Sequence, residues 1–234
     1  MPNTKKTTLP TLIDNIQFRA TELNLSATTD AQMAVVMNQA VENLYRKHDW
    51  VETKTSATIA FTEDAVLPYE TFALSAFSAS AIGIKCPIYL NNATNDYKFW
   101  WLEPDALMDL GRGGVDTHED VEHAIAIDGV NVLIYHDVAE TLTLKYYSKY
   151  LVATVTTEAP KEIFDVDGTD ADFFIPENEE LLILGTLRLL AQKEPSTSDK
   201  YAELNKEYEE ALAEEKINHP SQRMMRLEVI EFIG

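Results

Sequence analysis

From Leu9 to Leu25 the apolar side chains fall at Leu9, Leu12, Ile13, Ile16, Ala20 and Leu23. This three-and-four spacing predicts an amphipathic helix, and Pro10 sits in the first turn, where its missing N–H has no intrahelical acceptor to lose. After a turn at Ser26–Thr28, Thr29 and Gln32 stand at capping-box spacing. Met33, Val36, Met37, Ala40, Val41, Leu44 and Tyr45 then make one continuous stripe, which predicts a second helix ending near His48-Asp49-Trp50.

The middle of the chain changes period. Val51–Thr62 is rich in Thr, Val and Ile, as strands are. Asp128-Gly129 between Ile125–Ile127 and Val130–Ile134 is the strongest hairpin signal in the sequence. Leu142, Leu144 and Tyr146 alternate with polar residues and predict a third strand after a turn at His136–Glu140. Asn91–Asp96 marks another turn, between Pro87–Leu90 and Tyr97–Leu102. Short strands joined by short turns imply an antiparallel meander or small barrel rather than a parallel sheet.

Helical spacing returns after Pro176. Leu181–Leu190 is apolar nearly all round, which predicts a helix covered on several sides. Lys193–Pro195 breaks it, and Ser196 with Asp199 offers a new capping box. Tyr201, Leu204, Tyr208, Ala211 and Leu212 then form a narrow stripe on a very polar helix, the width of a helix-pairing seam. The expected fold is therefore α+β, a helical bundle from the N- and C-terminal helices with an inserted antiparallel β-rich region. The boundaries read from the pattern are 1–50 with 176–217 for the helices, 51–175 for the β-rich insertion and 218–234 for a C-terminal tail.

Charge narrows the function. Against 39 Asp+Glu stand 19 Lys+Arg, a formal net charge of −20 over 234 residues. Phosphate binding needs Lys and Arg clusters, and the densest basic spots are Lys5-Lys6 and Arg46-Lys47, so a general nucleic-acid surface is excluded. The only cysteine, Cys86, lies beside Pro87 in an apolar run and reads as a small buried hydrophobe. Met1–Thr8 lacks the apolar stretch of a secretory signal, and no run approaches the ~20 apolar residues of a membrane span, so a protein made in the cytoplasm with no membrane association is expected.

Candidate chemical motifs fall short on geometry. His118 and His123 flank Glu119–Glu122, but a zincin needs its two His at i and i+4. The i, i+5 spacing is about 500° of rotation at ~100° per residue, which separates the imidazoles. Asp165–Asp172 carries four carboxylates in eight residues, yet Gly168 is fourth and Pro176 twelfth, which fails the EF-hand register. Any metal there would be adventitious. Gly111–Gly114 lacks the Lys-Ser/Thr of a phosphate loop. Adjacent Trp100 and Trp101 could form a carbohydrate-stacking platform, but strand alternation would place one in the core and one at a rim or interface. No catalytic residue, metal ligand set or cofactor site is assigned.

The order of elements carries a resemblance. Two helices end in Leu44-Tyr45-Arg46-Lys47-His48-Asp49-Trp50, followed by a Thr-rich strand and Val66-Leu67-Pro68. A β-rich middle leads to Leu144-Lys145-Tyr146-Tyr147-Ser148, and Phe174-Ile175-Pro176-Glu177 opens a Leu-rich helix carrying Gly185. A polar helix with Tyr201 and Tyr208 and a C-terminal tail complete the order. Over roughly residues 9–217 this resembles the head-to-tail connector adaptors of tailed bacteriophages, including podovirus tail tubular protein A. The acidic stretch 111–123 has no match in that pattern.

The resemblance implies a structural virion protein without enzyme activity, located in the neck or tail of the particle. It would form a ring of about twelve copies that binds the portal protein above and a tail or nozzle protein below and lets DNA pass without specific binding. On this reading Arg223, Met224, Met225, Arg226, Leu227, Val229 and Phe232 form a portal-binding tail. Leu181, Leu184, Leu204, Tyr208 and Leu212 pack helices between subunits. Glu203, Glu207, Glu210 and Glu214, at helical spacing on one side, line the lumen and repel DNA. Two other readings compete: an acidic metal-dependent or carbohydrate-active enzyme using His118, His123 and His136, and a tail-completion or terminator protein.

Overall fold

The computed structural model describes residues 6–26, 28–62, 69–74, 84–92, 99–111, 121–136, 139–155, 160–165, 172–194 and 197–222. The architecture is α+β. Two compact units divide the chain: the described residues of Met1–Thr53 with Lys149–Ser221, and those of Lys54–Ser148 with Gln222.

The first unit holds α1 (Leu9–Glu22), α2 (Asp30–Lys47), α4 (Glu179–Gln192) and α5 (Ser198–Asn218). It also holds a small antiparallel sheet in the order β10-β8-β9, from β8 (Val152–Thr154), β9 (Pro160–Lys161) and β10 (Asp172–Phe174). The pattern placed the return to the helices at 175/176, whereas the chain rejoins this unit at Lys149. The reason is packing: Leu151, Val152, Phe164 and Phe174 belong to the same buried cluster as the four helices.

Local signals explain the helix ends. Thr29 and Gln32 form the expected reciprocal capping box on α2. α1 ends at Asn24, φ 52°, where the Asn24 N–H donates to Thr21 O and the Leu25 N–H donates to Ala20 O. That pair of bonds satisfies two end carbonyls, and Asn tolerates the left-handed conformation it needs. The Ser196 cap is not described, since Ser196 lies outside the described residues. Thr197 precedes α5 instead, and its hydroxyl donates back to Ala191 O and Glu194 O, closing α4 rather than capping α5.

α4 is buried on most sides by its own chain, against α1, α2 and α5. Gly185 is what permits the close approach. A Cβ there would lie 3.3 Å from the Tyr208 ring and 3.5 Å from Ala40 Cβ.

The second unit is a sandwich of two sheets with a helix outside. One sheet has the order β1-β7-β3, from β1 (Lys54–Phe61), β3 (Ile84–Asn92) and β7 (Glu140–Ser148), all antiparallel. The other has the order β2-β6-β5-β4, from β2 (Tyr69–Ala73), β4 (Trp100–Trp101), β5 (Ala124–Asp128) and β6 (Asn131–Tyr135). Among the described residues the β4–β5 pair is parallel and the other strand pairs of this unit are antiparallel.

The predicted hairpin is β5–β6. Asp128 pairs Asn131, and Gly129 carries φ +58° at the first of two loop residues, the II′ pattern that suits strand twist. β7 does not continue that hairpin but crosses to the other sheet, where Leu142, Leu144 and Tyr146 meet Ile125, Val132 and Ile134 in one core. α3 (Pro104–Gly111) covers the opposite face, with Leu107 buried against Ala124, Ala126 and Leu133. Cys86 is buried in β3.

Candidate functional site

The seam residues proposed for subunit contacts sit inside one chain. Leu181, Leu184, Leu204, Tyr208 and Leu212 all belong to the buried cluster of the first unit, so no neighbouring subunit is needed to cover them. The narrow stripe on α5 was legible, but it pairs with α4 within the chain. Tyr208 lies at its centre, 0 % exposed. The Arg188 guanidinium stands 4.3 Å from its ring centroid and Lys47 Nζ 5.0 Å. Glu209 ties the two cations, pairing with Lys47 and lying 3.8 Å from Arg188. The Tyr208 hydroxyl has no hydrogen-bond partner, and burial pushes its pKa up to about 12.

Glu203, Glu207, Glu210 and Glu214 are exposed along one side of α5. At ~100° per residue their mean direction is about 130° from the Leu204–Tyr208–Leu212 seam. The only described cation paired with this row is Lys206, 3.8 Å from Glu210. The result is a negative stripe projecting away from the core.

α5 ends in a second acidic cluster that the sequence did not announce. Glu215 is 6 % exposed, accepts from Asn178 Nδ2 (3.1 Å) and contacts His219 Nδ1 (2.7 Å). The hydrogen bond to Glu215 raises the His219 pKa above its ordinary 6.5, with Glu52 and Glu177 adding smaller attractions.

The residues of the rival enzyme reading are partly brought together. The β5–β6 register, carried one step past Ala124↔Tyr135, sets His123 opposite His136, and their Nδ1 atoms are 3.0 Å apart. His136 Nε2 lies 2.7 Å from Glu140 Oε1. Phe61 and Phe99 wall the rings at centroid distances of 5.3–5.4 Å, and His123 and His136 are 7 % and 3 % exposed. This is a polar network inside the sandwich. His118 lies outside the described residues.

Trp100 and Trp101 are both half-buried on opposite faces of their sheet, Trp101 against the inter-sheet core and Trp100 against the α3 side. They share no stacking surface, and both pack on core rather than one standing at a rim. Of the Asp165–Asp172 run, residues 166–171 are outside the described set. Asp172 is fully buried, its Oδ2 accepting from Lys161 Nζ (2.9 Å) and the Asp165 N–H (3.1 Å). Among the described residues no group of three His, Cys, Asp or Glu is placed to hold a metal ion. No described helix is long and apolar enough to cross a membrane.

The portal-binding tail residues, Arg223, Met224, Met225, Arg226, Leu227, Val229 and Phe232, lie outside the described residues. So does most of the acidic stretch 111–123.

One surface feature went unread in the sequence. A groove of about 620 Å³ runs along α2, with Val35, Tyr45 and Ile163 among its apolar lining and Glu42, Lys149 and Glu162 at its polar positions. Its far wall is fixed by Asn38, which donates to Phe164 O (3.0 Å) and accepts from the Phe164 N–H (2.8 Å). Val35 is the visible signal, an exposed apolar residue between buried Ala34 and Val36.

A comparison with protein-family models finds no match, and neither does a comparison with curated proteins.

Proposed function

We propose that this chain is a structural virion protein, one subunit of an adaptor ring that joins the portal of a tailed bacteriophage to its tail and lines the DNA passage. The observation that carries the reading is the chain's organisation. The N-terminal helix pair and the C-terminal helix pair share one core, and a β-rich unit is inserted between them. That is the element order on which the resemblance to the connector adaptors rests.

The acid row of α5 supports the passage role. Four exposed carboxylates on one helix side repel phosphates, so a wall built from them would let DNA slide without binding it. The tail after Gln222, with Leu227, Val229, Ile230, Phe232 and Ile233 in a short span, would contact the portal, and the β-rich unit would meet the tail or nozzle protein. The His123–His136–Glu140 network is enclosed by aromatic rings, a setting that suits a scaffold better than a reaction centre.

The test is co-purification of the full chain with the portal protein of the same virus. A stable complex near twelve copies per portal supports the proposal. A chain that never binds portal, at any protein concentration, removes it.

A further inference from the structure

The two outer strands of the β1-β7-β3 sheet are not equivalent. β3 carries Pro87 and two register shifts, between Ile84 and Cys86 and between Pro87 and Tyr89. Proline and bulges both blunt a sheet edge against further pairing. β1 has neither. Its eight residues pair with β7 in unbroken register, Lys54↔Tyr147 to Phe61↔Glu140, and among the described residues it pairs with no other strand.

Its outer face presents Ser56, Thr58 and Ala60, all exposed, while Ala57, Ile59 and Phe61 face the core. After Lys54 no charge interrupts the strand. An antiparallel strand bonded on one side leaves about half of its N–H and C=O groups pointing outward. Beyond Lys54, β1 is thus a long, uncharged edge in unbroken register that can accept one more strand.

The structure also shows what begins beside it. The Gln222 N–H donates to Tyr147 Oη (2.9 Å), and Lys54 Nζ donates to Gln222 Oε1 (3.0 Å). Lys54 is the first residue of β1 and Tyr147 is its partner in register. The chain after Gln222 therefore starts near the N-terminal end of β1, held by the side chains of Lys54 and Tyr147. Twelve further residues follow in the sequence. At ~3.3 Å per residue they reach roughly 40 Å, against roughly 26 Å for the eight residues of β1. Val229, Ile230, Phe232 and Ile233 among them are strand-favouring residues.

We infer that in the free protein the segment after Gln222 adds to β1 as a parallel edge strand of its own chain, pinned at its start by Lys54 and Tyr147. Parallel pairing follows from the anchor, because a chain leaving Gln222 along this edge runs in the direction of β1. Main-chain bonds supply the attraction, and the small side chains of Ser56, Thr58 and Ala60 leave room for the neighbour's side chains. The inference does not depend on the connector reading.

Hydrogen–deuterium exchange of the full chain, of a chain lacking residues 223–234 and of Val229→Pro tests it. The outward amides within 54–61 should exchange at least about tenfold faster in both altered chains than in the full chain, with β7 amides unchanged. Equal exchange in all three would overturn the inference. Protection that disappears when the full chain is diluted would also overturn it, by assigning the edge to a second copy.

Discussion

Replacing Tyr208 by Phe tests how the helical unit is built. The ring fills the notch that Gly185 leaves and is fully buried, but its hydroxyl has no hydrogen-bond partner. A buried polar group left unsatisfied costs about 1–3 kcal/mol, so Phe, which keeps the ring and loses the hydroxyl, should stabilise the protein by about 1 kcal/mol at pH 7. Alkaline pH enlarges the difference. The folded state raises the phenol from 10.0 to about 12, chiefly by desolvation, and holds the proton more tightly than the unfolded chain does.

That preference is fully present below pH 10 and is lost as pH rises from 10 through 12. At ~1.4 kcal/mol per pKa unit the loss is about 3 kcal/mol in the wild type, and the Phe variant escapes it. Urea denaturation at pH 7, 10, 11 and 12 gives both quantities. Parallel pH profiles for the two proteins, or a Phe variant destabilised by more than about 1 kcal/mol at pH 7, would refute the reasoning.

Other substitutions probe neighbouring features. Gly185→Val should lower stability by about 1–3 kcal/mol, read as a lower denaturant midpoint, because even a Cβ is tight against Tyr208 and Ala40. Leu204→Asp with Tyr208→Asp places two carboxylates in the shared core and should abolish the cooperative calorimetric transition of the helical unit. A well-folded double variant that merely fails to assemble would return those residues to a subunit interface. Asp172→Ala should cost about 1–3 kcal/mol by removing the acceptor of Lys161 and of the Asp165 N–H. His219, raised above 6.5 by Glu215, contributes stability that is fully present below pH 6.5 and lost as pH rises through its folded value. His219→Gln should flatten the thermal-melt profile in that window.

What the sequence disclosed depended on how local each signal was. The Thr29–Gln32 cap, the α2 stripe and the hairpin signalled by Asp128-Gly129 are set by residues within a few positions of one another, and the structure contains all three, with the two-residue turn at Gly129-Val130. Alternation of Leu142, Leu144 and Tyr146 specified a buried face but not a partner strand, so the crossing of β7 to the other sheet was not legible. Buried Glu215 and Asp172 are held by Asn178 and Lys161, which no short-range pattern connects to them.

The His123–His136 contact could have been found. Extending the hairpin register outward from its turn places the two opposite each other. The all-round apolarity of Leu181–Leu190 was visible, but not whether a subunit or the chain itself covers it, because that depends on how four helices close.

The proposed ring beneath a bacteriophage portal is tested by electron microscopy of the purified chain mixed with portal protein. The expected image is a second ring of about twelve copies stacked coaxially on the portal, with the acid row of α5 facing the channel. Portal particles without an added ring, or a ring whose channel is lined by Lys and Arg while Glu203, Glu207, Glu210 and Glu214 point outward, would contradict it.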